Sequence, residues 1–306
     1  MIGNKILQFV KMARFHFIIA GFLLFCTGAL YAVIIGTPFQ LDHFCLGYAI
    51  FFLAHLSVHY SNDYFDRDTD QFGIPGPISG GSGVLRVHPE FAIWAKRSAI
   101  TLIVGSITLG IIYIFLFKAH WWFLLFVLAG NLMGWFYSAP PIRLSYRGLG
   151  EIATATTIGF LIPGMGYLVM KGSFDFAFMF IAIPFFFFGY FFITSVEIPD
   201  MAGDQKAEKW TLVARKGRQF GLQIAVLATI LAITSLAIPI LVSAGMRNLF
   251  LLTIFSVIPL CSSIWGLVTG CKTRQCIVLH SCVNIATLVV FVILTDLYFL
   301  FLAATS

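Results

Sequence analysis

The chain has 306 residues, of which 59% are hydrophobic, 16% aromatic and only 10% charged, and its mean hydropathy is +0.94. That is more apolar surface than a core of this size can bury, which excludes a soluble globular domain. The net charge of +6 is divided among short loops instead of forming one extended patch, which argues against a nucleic-acid partner.

Apolar stretches between charged or Gly/Pro breaks predict nine membrane-spanning helices, near residues 15 to 36, 42 to 62, 93 to 117, 121 to 138, 149 to 170, 174 to 196, 220 to 243, 248 to 270 and 278 to 302. The first is long and lacks a small-residue cleavage site, so it reads as a retained span and not a signal peptide. The N-terminus and the loops after the second, fourth, sixth and eighth spans hold 16 of the 19 Lys and Arg; the other side keeps Lys118, Lys171 and Arg247. The positive-inside rule then places the N-terminus and those loops on the cytoplasmic face, most simply of a cell's inner or plasma membrane. No connection is large enough for a separate soluble unit, so residues 1–306 read as one all-α bundle. The six cysteines lie in or beside spans without CxxC spacing and read as small apolar residues.

Two acidic triplets interrupt this pattern. Asp63, Asp66 and Asp70 follow the second span, and Glu197, Asp200 and Asp204 follow the sixth, with the same offsets of 0, 3 and 7. On a helix such offsets lie within about 60° of one face, so each triplet projects its carboxylates together. Pro199 makes that arc less secure in the second triplet. Like charges a few Å apart repel by about 4 kcal/mol at an effective dielectric near 20, so a cation is expected between them. Magnesium suits such oxygen donors, because it takes one or two carboxylates and completes its sphere with phosphate and water.

The same face carries Arg14, Arg86, Arg143, Arg147, Lys206 and Lys209. Guanidinium forks suit phosphate oxygens, so metals with arginines imply a diphosphate, and the apolar bundle beneath implies a hydrocarbon tail on it. The glycine- and proline-rich stretch QFGIPGPISGGSG after Asp70 reads as a loop able to close over a polar ligand. Ionisation of an allylic diphosphate would leave a carbocation for the π faces of Phe51, Phe52, Tyr60, Tyr190, Phe191 and Phe192, all of which also fit plain packing. Asp68, at offset 5, reads as a solvated charge. Glu208 either adds a carboxylate or sits in solvent. His55 and His59 precede Asp63 at intervals of four; His59 fits either an interior histidine or a partner for a second substrate. Glu151 reads as a helix-capping residue.

Three stretches in order resemble one family. Asn62, Asp63, Asp66 and Asp70 match an NDxxDxxxD motif, Asp200 and Asp204 match a DxxxD motif, and YSAPPIRLSYRGLGE from Tyr137 to Glu151 resembles the segment joining the fourth and fifth spans. Together they resemble the UbiA-type membrane prenyltransferases, a nine-helix family, over nearly the whole chain. SGGSGVL and EIPD lean towards the branch resembling 1,4-dihydroxy-2-naphthoate prenyltransferases of quinone biosynthesis. The resemblance implies magnesium-dependent transfer of a prenyl group from an isoprenoid diphosphate to an aromatic acceptor. It implies Asp63, Asp66, Asp70, Asp200 and Asp204 as metal ligands, with Asn62 supporting the first set, and Arg14, Arg143, Arg147 and Lys209 as diphosphate contacts; the residue pattern itself adds Glu197 as a metal ligand and Arg86, Tyr137 and His59 as substrate-binding residues. Val196 stands where relatives often place Asn, and Glu208 where they place a small residue. A terpene cyclase on the same scaffold is the alternative. A cation-coordinating transporter is disfavoured because charges lie only near the span ends.

Overall fold

The computed structural model describes residues 2–305 except 74, 75, 77, 79, 80, 243–248 and 271. Arg247, Cys271 and part of the glycine-rich loop expected to close over a ligand therefore lie outside the described residues. The described chain is all helical. A short amphipathic helix, α1 (Ile2–Lys11), precedes α2 (Phe15–Ile34), α3 (Leu41–Asp66), α4 (Ala92–Phe117) and α5 (Trp122–Ser138). Then follow α6 (Gly150–Lys171), α7 (Phe176–Lys206), α8 (Arg218–Val242), α9 (Phe250–Thr269) and α10 (Arg274–Thr305).

Among the described residues eight helices are long and apolar enough to cross a membrane, where the sequence predicts nine. The difference is α5, which is apolar but has only 17 residues, about 25 Å at 1.5 Å per residue, against roughly 30 Å of hydrocarbon. It stops at Ser138 because Ala139 is extended and the Pro140–Pro141 pair cannot continue a helix. Many large apolar side chains point outward, including Phe115, Phe176 and Val268, as lipid-facing residues should.

Helix packing follows small residues. A Cβ at Gly28 of α2 would strike the Pro163 carbonyl, and one at Gly166 of α6 would strike that of Phe25, so two glycines let these backbones touch. The core between them is aromatic, with Phe25, Tyr31, Tyr167, Phe178, Phe185, Phe188 and Phe291 almost fully enclosed. α3 packs on α4 and α7 on α8, and α6 carries one π turn at Thr157–Leu161, which borders the central cavity.

The two ends of the bundle differ in kind. One is closed by tyrosine hydroxyls, Tyr113 on the Val169 carbonyl at 3.1 Å and Tyr31 on that of Ala177 at 3.1 Å, with the partly exposed Lys171–Asp175 ion pair beside them. At the other end the loops after α3, α5 and α7 converge through charged side chains. Two expectations about polar residues in the spans are corrected. Cys276 is disulfide-bonded, so the cysteines are not all plain apolar residues. Asp296 lies well inside α10, buried, and accepts a 2.6 Å bond from Thr27. It borders no part of the central cavity.

Candidate active site

Both acidic triplets reach one cavity of about 930 Å³. Its mouth is lined by Arg14, Asn62, Asp63, Asp66, Asp70, Glu197, Asp200, Asp204 and Lys209. Its depth is apolar, bounded by Leu24, Ile50, Phe126, Ile162, Met165, Phe185, Phe188 and Val292. Thus the cluster that the sequence places on one face becomes the rim of a single pocket.

The two walls are built differently. α3 ends at Asp66, and Asp70 stands beyond it in a separate 3-10 turn, Asp70–Phe72. The single-helix arc expected for this triplet therefore holds only for Asp63 and Asp66. α7, by contrast, runs unbroken from Phe176 to Lys206 through Pro199, so Glu197, Asp200 and Asp204 do share one helix. Pro199 removes the amide that would bond the Ser195 carbonyl, and the helix nevertheless continues through it. Ser195 donates to the Phe191 carbonyl at 2.7 Å and accepts from Asn284 at 2.9 Å.

On the first wall both carboxylate oxygens of Asp63 and of Asp66 are engaged. Arg14 closes a 2.6 Å ion pair with Asp63, whose other oxygen accepts from the Ser82 hydroxyl. Arg14 reaches it from a left-handed turn between α1 and α2 (φ 46°), a conformation that a non-glycine residue holds only where its surroundings require it. Asp66 accepts from Tyr146 at 2.8 Å, Ser138 at 3.0 Å and Lys209 at 3.1 Å. The Tyr146 hydroxyl also meets Thr69 at 2.7 Å, and the Lys209 ammonium stands 5.1 Å from the Tyr146 ring.

Burial works against the charge on Lys209, but Asp66, Tyr146, Asp70 and Asp204 outweigh it and hold the ammonium pKa above its ordinary value. Burial raises the Tyr146 phenol, and the charge of Asp66 adds to the effect. Asp70 is pushed up to about 6, first by burial and then by Asp66 and Asp63, with Lys209 and Arg14 opposing. A Cβ on Gly81 would occupy the position of an Asp70 oxygen, so the loop passes over this carboxylate at glycine distance.

The second wall is less saturated. Asp204 accepts from Thr211 at 3.3 Å, and Lys209 is set by a backbone bond to the Asp204 carbonyl at 2.9 Å. Oε2 of Glu197 and Oδ1 of Asn62, facing from opposite walls, are buried without a hydrogen-bond partner. Such oxygens fit a magnesium ion. No group of three His, Cys, Asp or Glu side chains among the described residues stands close enough to hold one alone. An ion here would thus be shared with a ligand's phosphate oxygens, the usual habit of magnesium.

The remaining sequence candidates divide. Tyr137 and His59 line the cavity. Arg86 does not; it bonds the Gly73 carbonyl at 3.0 Å and holds the loop. Arg143 lies 4.6 Å over the Tyr146 ring, and Arg147 bonds the Pro141 carbonyl at 2.8 Å, both off the cavity lining. Asp68 is solvent-exposed beside Arg67, and Glu208 is exposed beyond the end of α7. Glu151 is buried and accepts from the Leu212 amide, so it ties α6 to the turn after α7 instead of only capping its own helix. Of the six aromatics, only Phe51 and Phe192 face the cavity. Ser82, Ser138, Tyr146, Thr69 and Thr211 were not singled out by spacing, since single hydroxyls carry no pattern.

Residues 22–279 match the model of the UbiA prenyltransferase family. The chain belongs to that family. A curated relative, 2-carboxy-1,4-naphthoquinone phytyltransferase of Synechocystis, is 27% identical over 136 residues, 42% of this chain and 41% of that protein. The chain thus matches less than half the length of this relative. Among solved structures, a UbiA homolog from Archaeoglobus fulgidus bound to DMAPP and Mg2+ superposes with a TM-score of 0.65 at 16% identity, covering 98% of this chain and 100% of that one. The same homolog bound to GPP and Mg2+ gives 0.62 at 15% identity, covering 94% and 99%. At those identities the likeness establishes the fold.

Proposed function

We propose that this UbiA family member is a magnesium-dependent intramembrane prenyltransferase that moves a prenyl group from an isoprenoid diphosphate to an aromatic acceptor. One observation carries the reading: two acidic walls and two cations meet at the mouth of a deep apolar cavity. The donor's diphosphate would sit between the walls and its tail would extend towards Leu24 and Val292. The names of the relatives support both substrate classes, and the ions and diphosphates in the Archaeoglobus structures support the cofactor. Residues 1–306 would act as one bundle, with α5 as a ninth, tilted or shorter span and the site on the cytoplasmic side of the membrane.

In this mechanism Asp63, Asp66, Asp70, Asp200 and Asp204, with Glu197 and Asn62, would hold the ions. Bound magnesium would supply neutralisation of the leaving diphosphate. Arg14 and Lys209 exchange their carboxylate partners for diphosphate oxygens, which places two donors on the group where negative charge develops. As the bond from the bridging oxygen to the allylic carbon lengthens, the apolar wall keeps water from the cation, and the Phe51 and Phe192 faces stabilise it. The acceptor ring then forms the new carbon bond, and the attacked ring carbon gives up its proton to the departing diphosphate, which restores the aromatic ring.

Mass spectrometry of the products tests the reading directly. Purified protein with geranyl diphosphate, magnesium and a panel of hydroxylated aromatic acids should yield one prenylated ring together with diphosphate. A cyclised hydrocarbon formed without acceptor would favour the cyclase, and no diphosphate release under any combination would overturn catalysis.

A further inference from the structure

Between the acidic rim and the apolar floor the cavity wall carries two histidines that the diphosphate chemistry does not use. His55 and His59 are one turn apart on α3 and both line the cavity. His59 is only 7% exposed, and its Nε2 is buried without a hydrogen-bond partner, as is Nδ1 of His55. A buried polar atom without a partner is costly, so the site is incomplete as it stands.

The two imidazoles belong to a column of flat rings. Phe51 stacks on His55 at 5.2 Å, His55 meets His59 at 5.2 Å, and His59 stacks on Phe17 at 5.9 Å. Phe192, from the opposite wall, closes edge-on against Phe17 at 6.2 Å. Gly21 of α2 faces this column, and a Cβ there would come within 2.5 Å of the His55 ring. The missing side chain is what lets the imidazole lie in this position. Four residues separate His59 from Asp63, a rise of about 6 Å along the helix, so the column stands directly beneath the carboxylates.

We propose that His55 and His59 form the subsite for the ring of a hydroxylated aromatic acceptor, with the unpaired ring nitrogens hydrogen-bonding its hydroxyl group. The assignment rests on the prenyl-transfer reading above. A flat ring matches the stacked column in shape. A hydroxyl both donates and accepts, so it suits an imidazole in either tautomer. A hydrocarbon tail would leave both nitrogens unpaired, and among the described residues the two histidines have no third ligand to make a metal site.

Binding, read apart from turnover, tests this. The affinities of 1-hydroxy-2-naphthoate and 2-naphthoate are compared by calorimetry for full-length wild-type protein, His55→Ala, His59→Ala and His59→Gln in lipid nanodiscs. Wild type should prefer the hydroxylated ring by about tenfold or more, since a site built for a hydroxyl penalises its absence. His59→Ala should lose most of that preference and His59→Gln should keep part of it. With geranyl diphosphate and 1,4-dihydroxy-2-naphthoate, His59→Ala should raise KM for the aromatic about tenfold while leaving KM for the diphosphate within about twofold. Equal affinity of wild type for the two rings, or an unchanged preference in the histidine variants, overturns the assignment. If His59→Ala does not fold, His59→Gln and His55→Ala decide by the same comparison. Should wild type prenylate no aromatic yet keep a histidine-dependent preference, the reading of the reaction fails and the subsite stands.

Discussion

The two acidic walls share one spacing and differ in almost everything else. The first is split between the end of α3 and a separate turn, yet the oxygens of Asp63 and Asp66 are saturated by Arg14, Ser82, Tyr146, Ser138 and Lys209. The second stands on one continuous helix, yet Glu197 keeps an unpaired oxygen and Asp204 has a single long bond from Thr211. Identical offsets therefore do not imply identical local structure. The saturated wall is held in place before any ligand arrives, whereas the open wall offers oxygens to one. On the proposed function, binding at the first wall would be an exchange of partners, and binding at the second an addition.

The largest effect should come from the saturated wall. Asp66→Asn removes the charge that three donors converge upon and leaves Lys209 with less to hold it. Turnover should fall about a thousandfold, with the protein still eluting as a folded species from size exclusion. Asp204→Asn should fall less, by about a hundredfold, because fewer groups depend on it. Equal losses at both positions would erase the proposed distinction between exchange and addition.

Spacing, sidedness and the apolar background were enough to place both triplets at one pocket mouth, because carboxylates are rare in this chain and each stands out. The local geometry was not legible. Offsets of 0, 3 and 7 share a face only if the helix continues through Asp70, but Arg67 to Thr69 leave it, and Thr69 bonds back to the Asp66 carbonyl at 2.9 Å. Pro199 signals a break in the sequence, yet α7 continues through it. Arg86, Arg143 and Arg147 illustrate a second limit: charge sign and the end of the bundle can be read from sequence, but which way a long side chain turns depends on partners supplied by distant loops. α5 was legible as an apolar run, but with 17 residues it leaves eight helices among the described residues long and apolar enough to cross a membrane, not the nine expected.

Tyr146→Phe isolates the preorganised side of the comparison. It deletes the 2.8 Å bond to Asp66 and the contact with Thr69 while keeping the ring under Lys209. A single lost bond to a charged acceptor should lower kcat/KM by about tenfold. Thr211→Val, the matching change on the open wall, should cost about threefold at most, given its 3.3 Å bond. Steady-state kinetics at saturating magnesium compare the two directly.

Proton competition should act on the first wall through Asp70. Asp70 has its pKa pushed up to about 6 when no ion is bound, so below that pH the carboxyl carries a proton that a metal must displace. The sign is fixed: magnesium affinity should weaken as pH falls through about 6, and saturating magnesium should restore activity at pH 5.5. The raised value also means that ionised Asp70 burdens the metal-free fold at neutral pH, so magnesium should raise the melting temperature more at pH 7 than at pH 5. Asp70→Asn should flatten that pH dependence, and a slope that persists would assign it to another carboxylate.

Pro199→Ala is the subtlest intervention, because it changes no carboxylate. Proline at this position removes one backbone donor and forces a local bend, while Ser195 and Asn284 support the preceding turn from within the bundle. Alanine restores the donor and straightens the segment, so the fold should melt no lower than wild type. Glu197 and Asp200 flank the bend, and straightening it rotates one against the other and both against Asp204. A displacement of that kind at a site where geometry sets the rate should lower turnover by about fivefold while leaving the Asp63 and Asp66 wall untouched. If turnover does not change, the open wall tolerates displacement because incoming ligands position its oxygens. If turnover falls as far as in Asp204→Asn, the second wall is as preorganised as the first, its order stored in the helix axis and not in hydrogen bonds.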